Sequence, residues 1–200
     1  MYQTACISAR VTYNYVMPEE QSENIFTELL KFALVAVIIV VPVRLFIAQP
    51  FIVSGASMDP TFHNGQYLIV DEISYRFGEP ERGDVIIFKY PKDPSQYFIK
   101  RVIGLPGEMV RITSDGVSVT KTDGSTVGLE EPYIVNEGNG GNLTVELKPD
   151  QYFVMGDNRP ESSDSRVWGV LPKENIVGRA FLRLLPIQNA TILPGSTPTQ

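Results

Sequence analysis

Only one cysteine occurs in the chain, Cys6, and only one histidine, His63. A disulfide within the chain is excluded, and so is a zinc site built on cysteines. A metal centre made from several histidines is excluded with them. Beyond Cys6 there is no thiol, so the chain is compatible with an oxidising or a reducing compartment. Positive charge is also in short supply: 17 Lys and Arg face 23 Asp and Glu, for a net charge of −6. Phosphate binding wants a basic surface, which argues against a nucleic-acid partner. A Ser-His-Asp arrangement would have to draw on His63, six residues after Ser57.

What is present begins with a long apolar run, "LLKFALVAVIIVVPVRLFIA", residues 29–48, with no charge from Phe32 to Val43. Twenty helical residues span roughly 30 Å, about one hydrocarbon core. Lys31 and Arg44 lie near its ends, where long stems reach headgroups. A buried core helix is one alternative, and a cleaved signal peptide is another. The second should have a shorter apolar region behind a basic flank. The flank here is acidic, with Glu19, Glu20, Glu23 and Glu28, so an uncleaved anchor is expected. Lys and Arg are sparse on both sides, so charge encodes orientation poorly. Residues 1–16 look unlike the rest, which suggests a true start at Met17. The expected organisation is an N-terminal tail at 1–28, an anchor at 29–48, a body at 49–186 and a tail at 187–200. That last stretch is rich in Pro, Ser and Thr and lacks an apolar face, so disorder is expected.

The body reads as β. Strands are expected at 66–73, 85–90, 97–105, 108–113, 116–120, 133–137, 143–147, 151–157 and 175–185, with Gly, Pro and Asp between them. That punctuation indicates antiparallel strands rather than βαβ units.

Three stretches carry possible chemistry. "FIVSGASMDPTF", residues 51–62, is either a flexible exit from the apolar run or a turn presenting Ser57. In "YFIKRVIGL", residues 97–105, alternation puts Lys100 on one face with Phe98 and Val102. A lysine there either snorkels from an edge into water or is desolvated, which lowers its pKa and makes a neutral general base. "MGDNRPESSDSRVWG", residues 155–169, is either a polar surface loop or a hydrogen-bonded buttress fixed by Asp/Arg pairs.

Taken together, the chain resembles the bacterial type I signal peptidases, the membrane-bound leader peptidases. The motifs are "SGASMDPTF" (54–62), "RGDVIIF" (82–88), "YFIKRVIGLPGE" (97–108) and "GDNRPESSDSRVWG" (156–169), in that order behind an apolar run. The resemblance implies a mainly β fold, an antiparallel barrel-like catalytic domain behind a single N-terminal transmembrane helix. It implies a serine endopeptidase with a Ser/Lys dyad, Ser57 as nucleophile and Lys100 as general base. Ser162 is implied to hydrogen-bond the lysine, and Asp157, Asp164 and Arg166 to hold the shape of the site. Some members use a serine two residues before the nucleophile to bind the oxyanion. Gly55 stands there in this chain, which leaves backbone N–H groups, chiefly that of Ser57, to do so. Phe62 replaces a more usual leucine.

The implied substrates are exported preproteins, cut after a small-x-small sequence such as Ala-x-Ala and bound as an added β-strand. The implied location is the cytoplasmic membrane of a bacterium, single-pass, with the N-terminus inside and the catalytic domain on the outer face. Lipid bilayer is an expected partner, and nucleic acid is not. No metal, nucleotide or organic cofactor is expected, and a monomer is. Two rivals stand against this reading. A self-cleaving repressor with the same fold core would need a DNA-binding domain, and neither a basic face nor a helix-turn-helix pattern precedes Ser57. An inactive, tethered peptide-binding domain would be expected to lack one of the two dyad residues.

Overall fold

Short runs of β-branched and aromatic residues between Gly, Pro and Asp form a body of antiparallel strands. The computed structural model describes residues 24–46, 48–135 and 141–196, and their side chains outside 42–48. The chain divides after Ile39 into two units, each described by itself.

Helix α1 (Ile25–Phe46) starts where the Asn24 carbonyl accepts from the Thr27 and Glu28 amides. Glu28 places an acidic side chain in the first turn, where the helix dipole favours it. From Ile25 to Val41 the large apolar side chains are exposed, Phe32 by 75% and Ile38 by 61%. Beyond Lys31 the described part of the helix therefore has no polar stripe to turn to water. Among the described residues no helix is long and apolar enough to cross a membrane. The described side chains of α1 end at Val41, and the rest of the expected anchor, side chains 42–48, lies outside them.

The body builds two antiparallel sheets. The strands of the larger are β1 (Ala48–Ile52), β2 (Tyr67–Asp71), β3 (Val85–Tyr90) and β4 (Asp93–Gly104). The smaller sheet holds β5 (Met109–Thr113), β6 (Gly116–Thr120), β7 (Thr126–Gly128) and β8 (Leu143–Glu146) in the order β7-β6-β5-β8. The chain then returns to the larger sheet through β9 (Gln151–Met155), β10 (Leu171–Pro172), β11 (Ile176–Leu185) and β12 (Thr191–Ile192). Its order is β1-β2-β11-β3-β4-β9-β10, with β12 on β11. Two one-turn helices, α2 (Ser74–Phe77) and α3 (Ser165–Trp168), decorate the connections.

The barrel-like closure expected from the sequence is not formed. Among the described residues β1 pairs only with β2 and β10 only with β9, so the larger sheet stays open. The physical reason lies at the edges. Pro50 within β1 has no N–H to offer a further strand, and β10 is two residues long.

Three apolar clusters hold the body together. Met58, Phe62, Leu68 and Val70 anchor the first, Val110, Val119 and Phe153 the second, and Ile86, Phe88, Tyr152 and Leu171 the third. Each fully buried side chain of this size contributes about 1.5–3 kcal/mol. β3 and β4 form the hairpin on which the site is built, with Ile86 opposite Lys100 and Val85 opposite Arg101. Its turn is shorter than the gap expected between the strands 85–90 and 97–105, because Tyr90 pairs with Asp93. Residues 133–135 of the expected strand 133–137 form no strand, and 136–137 lie outside the described residues.

The tail is a further correction. Residues 187–196, expected to be disordered, fold back on the body: Ile187–Asn189 makes a turn and β12 pairs with Leu182 and Arg183 of β11. Residues 197–200 lie outside the described residues.

Candidate active site

The stretch after β1 is a built turn, not a flexible exit. Val53 and Gln66 close its base, Val53 N–H donating to the Gln66 carbonyl at 2.9 Å. Gly65 N–H donates to the Val53 carbonyl, also at 2.9 Å. Gly55 takes a φ of +93°, and its N–H donates to Asn64 Oδ1 at 3.0 Å. Met58 and Phe62 sink into the first cluster as anchors, 1% and 0% exposed. Ser57, directly before Met58, is left half-buried at the top of the turn.

Lys100 meets it there. Strand alternation sets Lys100 beside Phe98, whose ring centroid is 5.4 Å from Nζ, and the residue is 4% exposed. Lys100 Nζ stands 2.7 Å from Ser57 Oγ and donates to the Ile99 carbonyl at 2.8 Å. Burial pulls the ammonium down to a pKa of about 8, against the opposing pull of Asp164 and Asp157. At neutral pH about one amine in ten is then uncharged, against about one in 3,000 for an ordinary lysine. His63 takes no part: it is exposed, and its Nδ1 pairs with the Asp59 carboxylate.

The loop after β9 clamps this pair from behind. Asn158 N–H donates to the Ser57 carbonyl at 3.0 Å, and Asn158 Nδ2 donates to the Ala56 carbonyl at 3.1 Å. Gly156 lies so close that an added Cβ would run into the Ser57 carbonyl oxygen and the Ser162 hydroxyl. Gly156→Ala is therefore expected to push the loop off the turn. The chemistry of the Ser57–Lys100 pair should slow at least about tenfold and the melting temperature should fall by several degrees. Unchanged values for both would mean that the loop does not touch the turn in solution.

Two ion pairs fix the loop. Arg101 grips Asp157 with two hydrogen bonds, Nε to Oδ1 at 2.9 Å and Nη2 to Oδ2 at 2.6 Å, and both residues are 1% exposed or less. Thr61 of the serine turn donates to the same carboxylate at 2.5 Å. The guanidinium also donates to the Gly83 carbonyl at 2.8 Å and stacks 3.8 Å from the Tyr133 ring centroid. Arg166 grips Asp164 through Nε and Nη2, each at 2.8 Å. Asp164 caps α3 and accepts from the Gly156 N–H at 3.0 Å. Burial pushes its carboxyl up, but Arg166 and the Gly156 amide outweigh burial and hold it below the usual carboxylate range.

The residues singled out in the sequence therefore divide. Ser57 and Lys100 are in contact, and Asp164 and Arg166 pair with each other. Asp157 pairs instead with Arg101, to which the sequence reading gave no role. Ser162 is buried, and its hydroxyl lies by the Asp164 carboxylate, which it helps to hold low, while Lys100 Nζ bonds Ser57 and Ile99, so the expected bond to Lys100 is not made. The Gly55 amide is committed to Asn64, whereas the Ser57 amide donates to no described residue. Asn158 was missed as well. Its signal was an amide side chain two residues after a glycine in the loop already singled out. Two further buried pairs stiffen the surroundings: Arg82 with Glu108 at 2.5 Å, and Arg159 with Glu131. They tie "RGDVIIF" to "LPGE" and the loop to residue 131.

In front of Ser57 and Lys100 opens a groove of about 540 Å³, walled by residues 51–57 and 96–100. Phe51, Val53, Tyr97 and Ile99 make its lining largely apolar, and Glu161 and Ser163 stand at its rim. Among the described residues no cluster of His, Cys, Asp or Glu is arranged to hold a metal ion. A buried amine on a half-exposed hydroxyl, beside an open groove, is equipped for nucleophilic attack on a carbonyl.

Comparison with known proteins bears on this geometry. The family model "Signal peptidase, peptidase S26" matches residues 26–185. A probable signal peptidase I-2 from Synechocystis sp. is 38% identical over 180 residues, covering 88% of this chain and 80% of that protein. A signal peptidase I from Pseudomonas fluorescens is 34% identical over 212 residues, covering 83% and 75%. Signal peptidase I P of Bacillus subtilis subsp. natto is 37% identical over 170 residues, covering 80% and 88%.

Proposed function

Because the chain belongs to the signal peptidase I family of serine endopeptidases, we propose that it removes signal peptides from exported preproteins with Ser57 as nucleophile and Lys100 as general base. The observation that carries this reading is the 2.7 Å contact between Lys100 Nζ and Ser57 Oγ. Neutral Lys100 takes the hydroxyl proton as Oγ attacks the scissile carbonyl carbon. The Ser57 amide, which has no described partner, is the backbone donor for the oxyanion. The lysine ammonium returns its proton to the departing amine, and an acyl-enzyme ester on Ser57 remains. Water then attacks the ester while Lys100 takes its proton. The signal peptide leaves as a carboxylate and Ser57 Oγ regains a proton.

Asp157, Asp164, Arg166 and Ser162 act as supports of this chemistry rather than as reacting groups. The substrate lies extended in the groove between residues 51–57 and 96–100, adding a strand along 96–100 of β4, which pairs with β9 only from Arg101 onward. Small side chains at −1 and −3, as in Ala-x-Ala, fit beside the apolar lining. Signal peptidase I relatives are membrane-associated in bacteria. For this chain the reading is a single anchor at 29–48, with the body on the outer face of the cytoplasmic membrane. The exposed apolar surface of α1 from Phe32 to Val41 supports an anchor.

The test is the pH dependence of cleavage of a model Ala-x-Ala preprotein by detergent-purified protein. The base must be neutral, so kcat/KM should rise with pH, bend near the Lys100 pKa of about 8 and level above it. Failure to cut between the expected residues, or a rate flat from pH 6 to 9, would sink the assignment.

A further inference from the structure

The segment after β11 is the part of the body that the family match, ending at residue 185, does not reach. It is nevertheless fastened at several points. The Asn189 carbonyl accepts from Arg183 Nε at 2.9 Å and from the Thr191 hydroxyl at 3.1 Å. After β12, the Leu193 N–H donates to the Phe181 carbonyl at 2.7 Å, and Pro194 is buried. Gly195, at a φ of +77°, then lies against the serine turn. A Cβ there would stand 2.7 Å from Thr61 Cγ2 and 3.1 Å from Phe62 Cε2. Its carbonyl accepts from Arg101 Nη1.

Thr61 and Phe62 belong to the turn that carries Ser57, and Arg101 is the neighbour of Lys100. We propose that residues 187–196 are a positioning segment for the Ser57–Lys100 pair, holding the serine turn from below and sealing the Arg101 guanidinium from water. The role rests on the reading of Lys100 as the base. Arg101 is 0% exposed, with Nε and Nη2 on Asp157 and Nη1 shared between Gly83 and Gly195. When Gly195 leaves, water takes its place on the guanidinium. A hydrated Arg101 neutralises Asp157 less completely.

Asp157 and Asp164 are the acidic groups whose charge acts on Lys100. Arg166 balances Asp164 from α3, and Glu161 is the carboxylate at the groove rim. A less neutralised Asp157 and wetter surroundings both favour the ammonium, so the lysine moves back toward its ordinary range.

Two substitutions in the full chain test this. Gly195→Ala puts a methyl where Thr61 and Phe62 leave no room. Leu193→Pro removes the donor to Phe181 and cannot hold the φ of 49° found there. The rising limb of kcat/KM against pH should move up by about one pH unit in both, so cleavage at pH 7 falls about tenfold with KM little changed. Circular dichroism and melting establish that each variant is folded. A wild-type profile with no limb near pH 8 overturns the base assignment and this role together. A wild-type limb that folded variants leave in place, even with a lower melting temperature, overturns the positioning role alone. Should Gly195→Ala not fold, Leu193→Pro, which shifts the backbone of a half-buried residue and frees its bond to Phe181, decides the matter.

Discussion

Ser57→Ala and Lys100→Met each reduce cleavage of an Ala-x-Ala preprotein by about 10⁴-fold or more, while the protein stays folded. The two losses are of similar size and do not add in the double variant, because the hydroxyl and the amine act as one unit across 2.7 Å. Stability separates the two variants. The folded-state pKa of Lys100 lies below the ordinary lysine value, so the unfolded chain binds more protons between about pH 8 and 10.5. Stability contributed by this group therefore rises with pH through that window, and the full penalty of a buried ammonium is present below about pH 8. Methionine removes the penalty and keeps the volume, so Lys100→Met melts no lower than wild type at pH 7. Cleavage retained within tenfold by either single variant would refute the dyad. A Lys100→Met protein markedly less stable at pH 7 would show that the amine is not desolvated.

Asp157→Ala is expected to cost about 3–5 kcal/mol, because it leaves the Arg101 guanidinium charged and buried without its carboxylate. For a chain of this size that is a fall of about 10 °C in melting temperature. Thr61 loses its acceptor in the same step, so the serine turn loosens and activity falls with stability. Replacing both partners, Arg101→Met with Asp157→Leu, should cost less than Asp157→Ala alone, since no orphaned charge remains. Thermal melts of the single and double variants provide the check. A single variant within about 1 kcal/mol of wild type would mean that water already reaches the pair.

Much of the body was legible from local pattern. Strands at 85–90 and 116–120 coincide with β3 and β6, because their β-branched residues are bounded by Gly, Asp and Pro. Alternation along 97–105 placed Lys100 with Phe98, the ring it lies against. Whether that lysine was buried depended on what β3 and the loop after β9 bring over it, which no local pattern records. The Asp157–Arg101 pair joins positions 56 residues apart and has no local signature. β1 was hidden because Ala48–Ile52 continues the apolar run, so it reads as an exit from a helix rather than an edge strand. The order of the tail comes from a cleft made by Thr61, Phe62 and Val85, and its Pro/Ser/Thr composition carries no trace of that fit. Closure of the sheet failed on Pro50, a residue plainly visible but not weighed as an edge signal.

The place of β11 between β2 and β3 has a consequence for how the protein is made. The serine turn precedes β2 and the lysine follows β3, and the strand that joins their two halves of the sheet comes after both in the chain. A nascent chain still lacking residues 176–185 displays two unpaired strand edges and no joined scaffold. The Ser57 and Lys100 halves therefore share one sheet only once residues 176–185 are in place. The same non-local pairing makes folding slow relative to a helical protein of equal length, and it leaves those edges in need of protection in the interval.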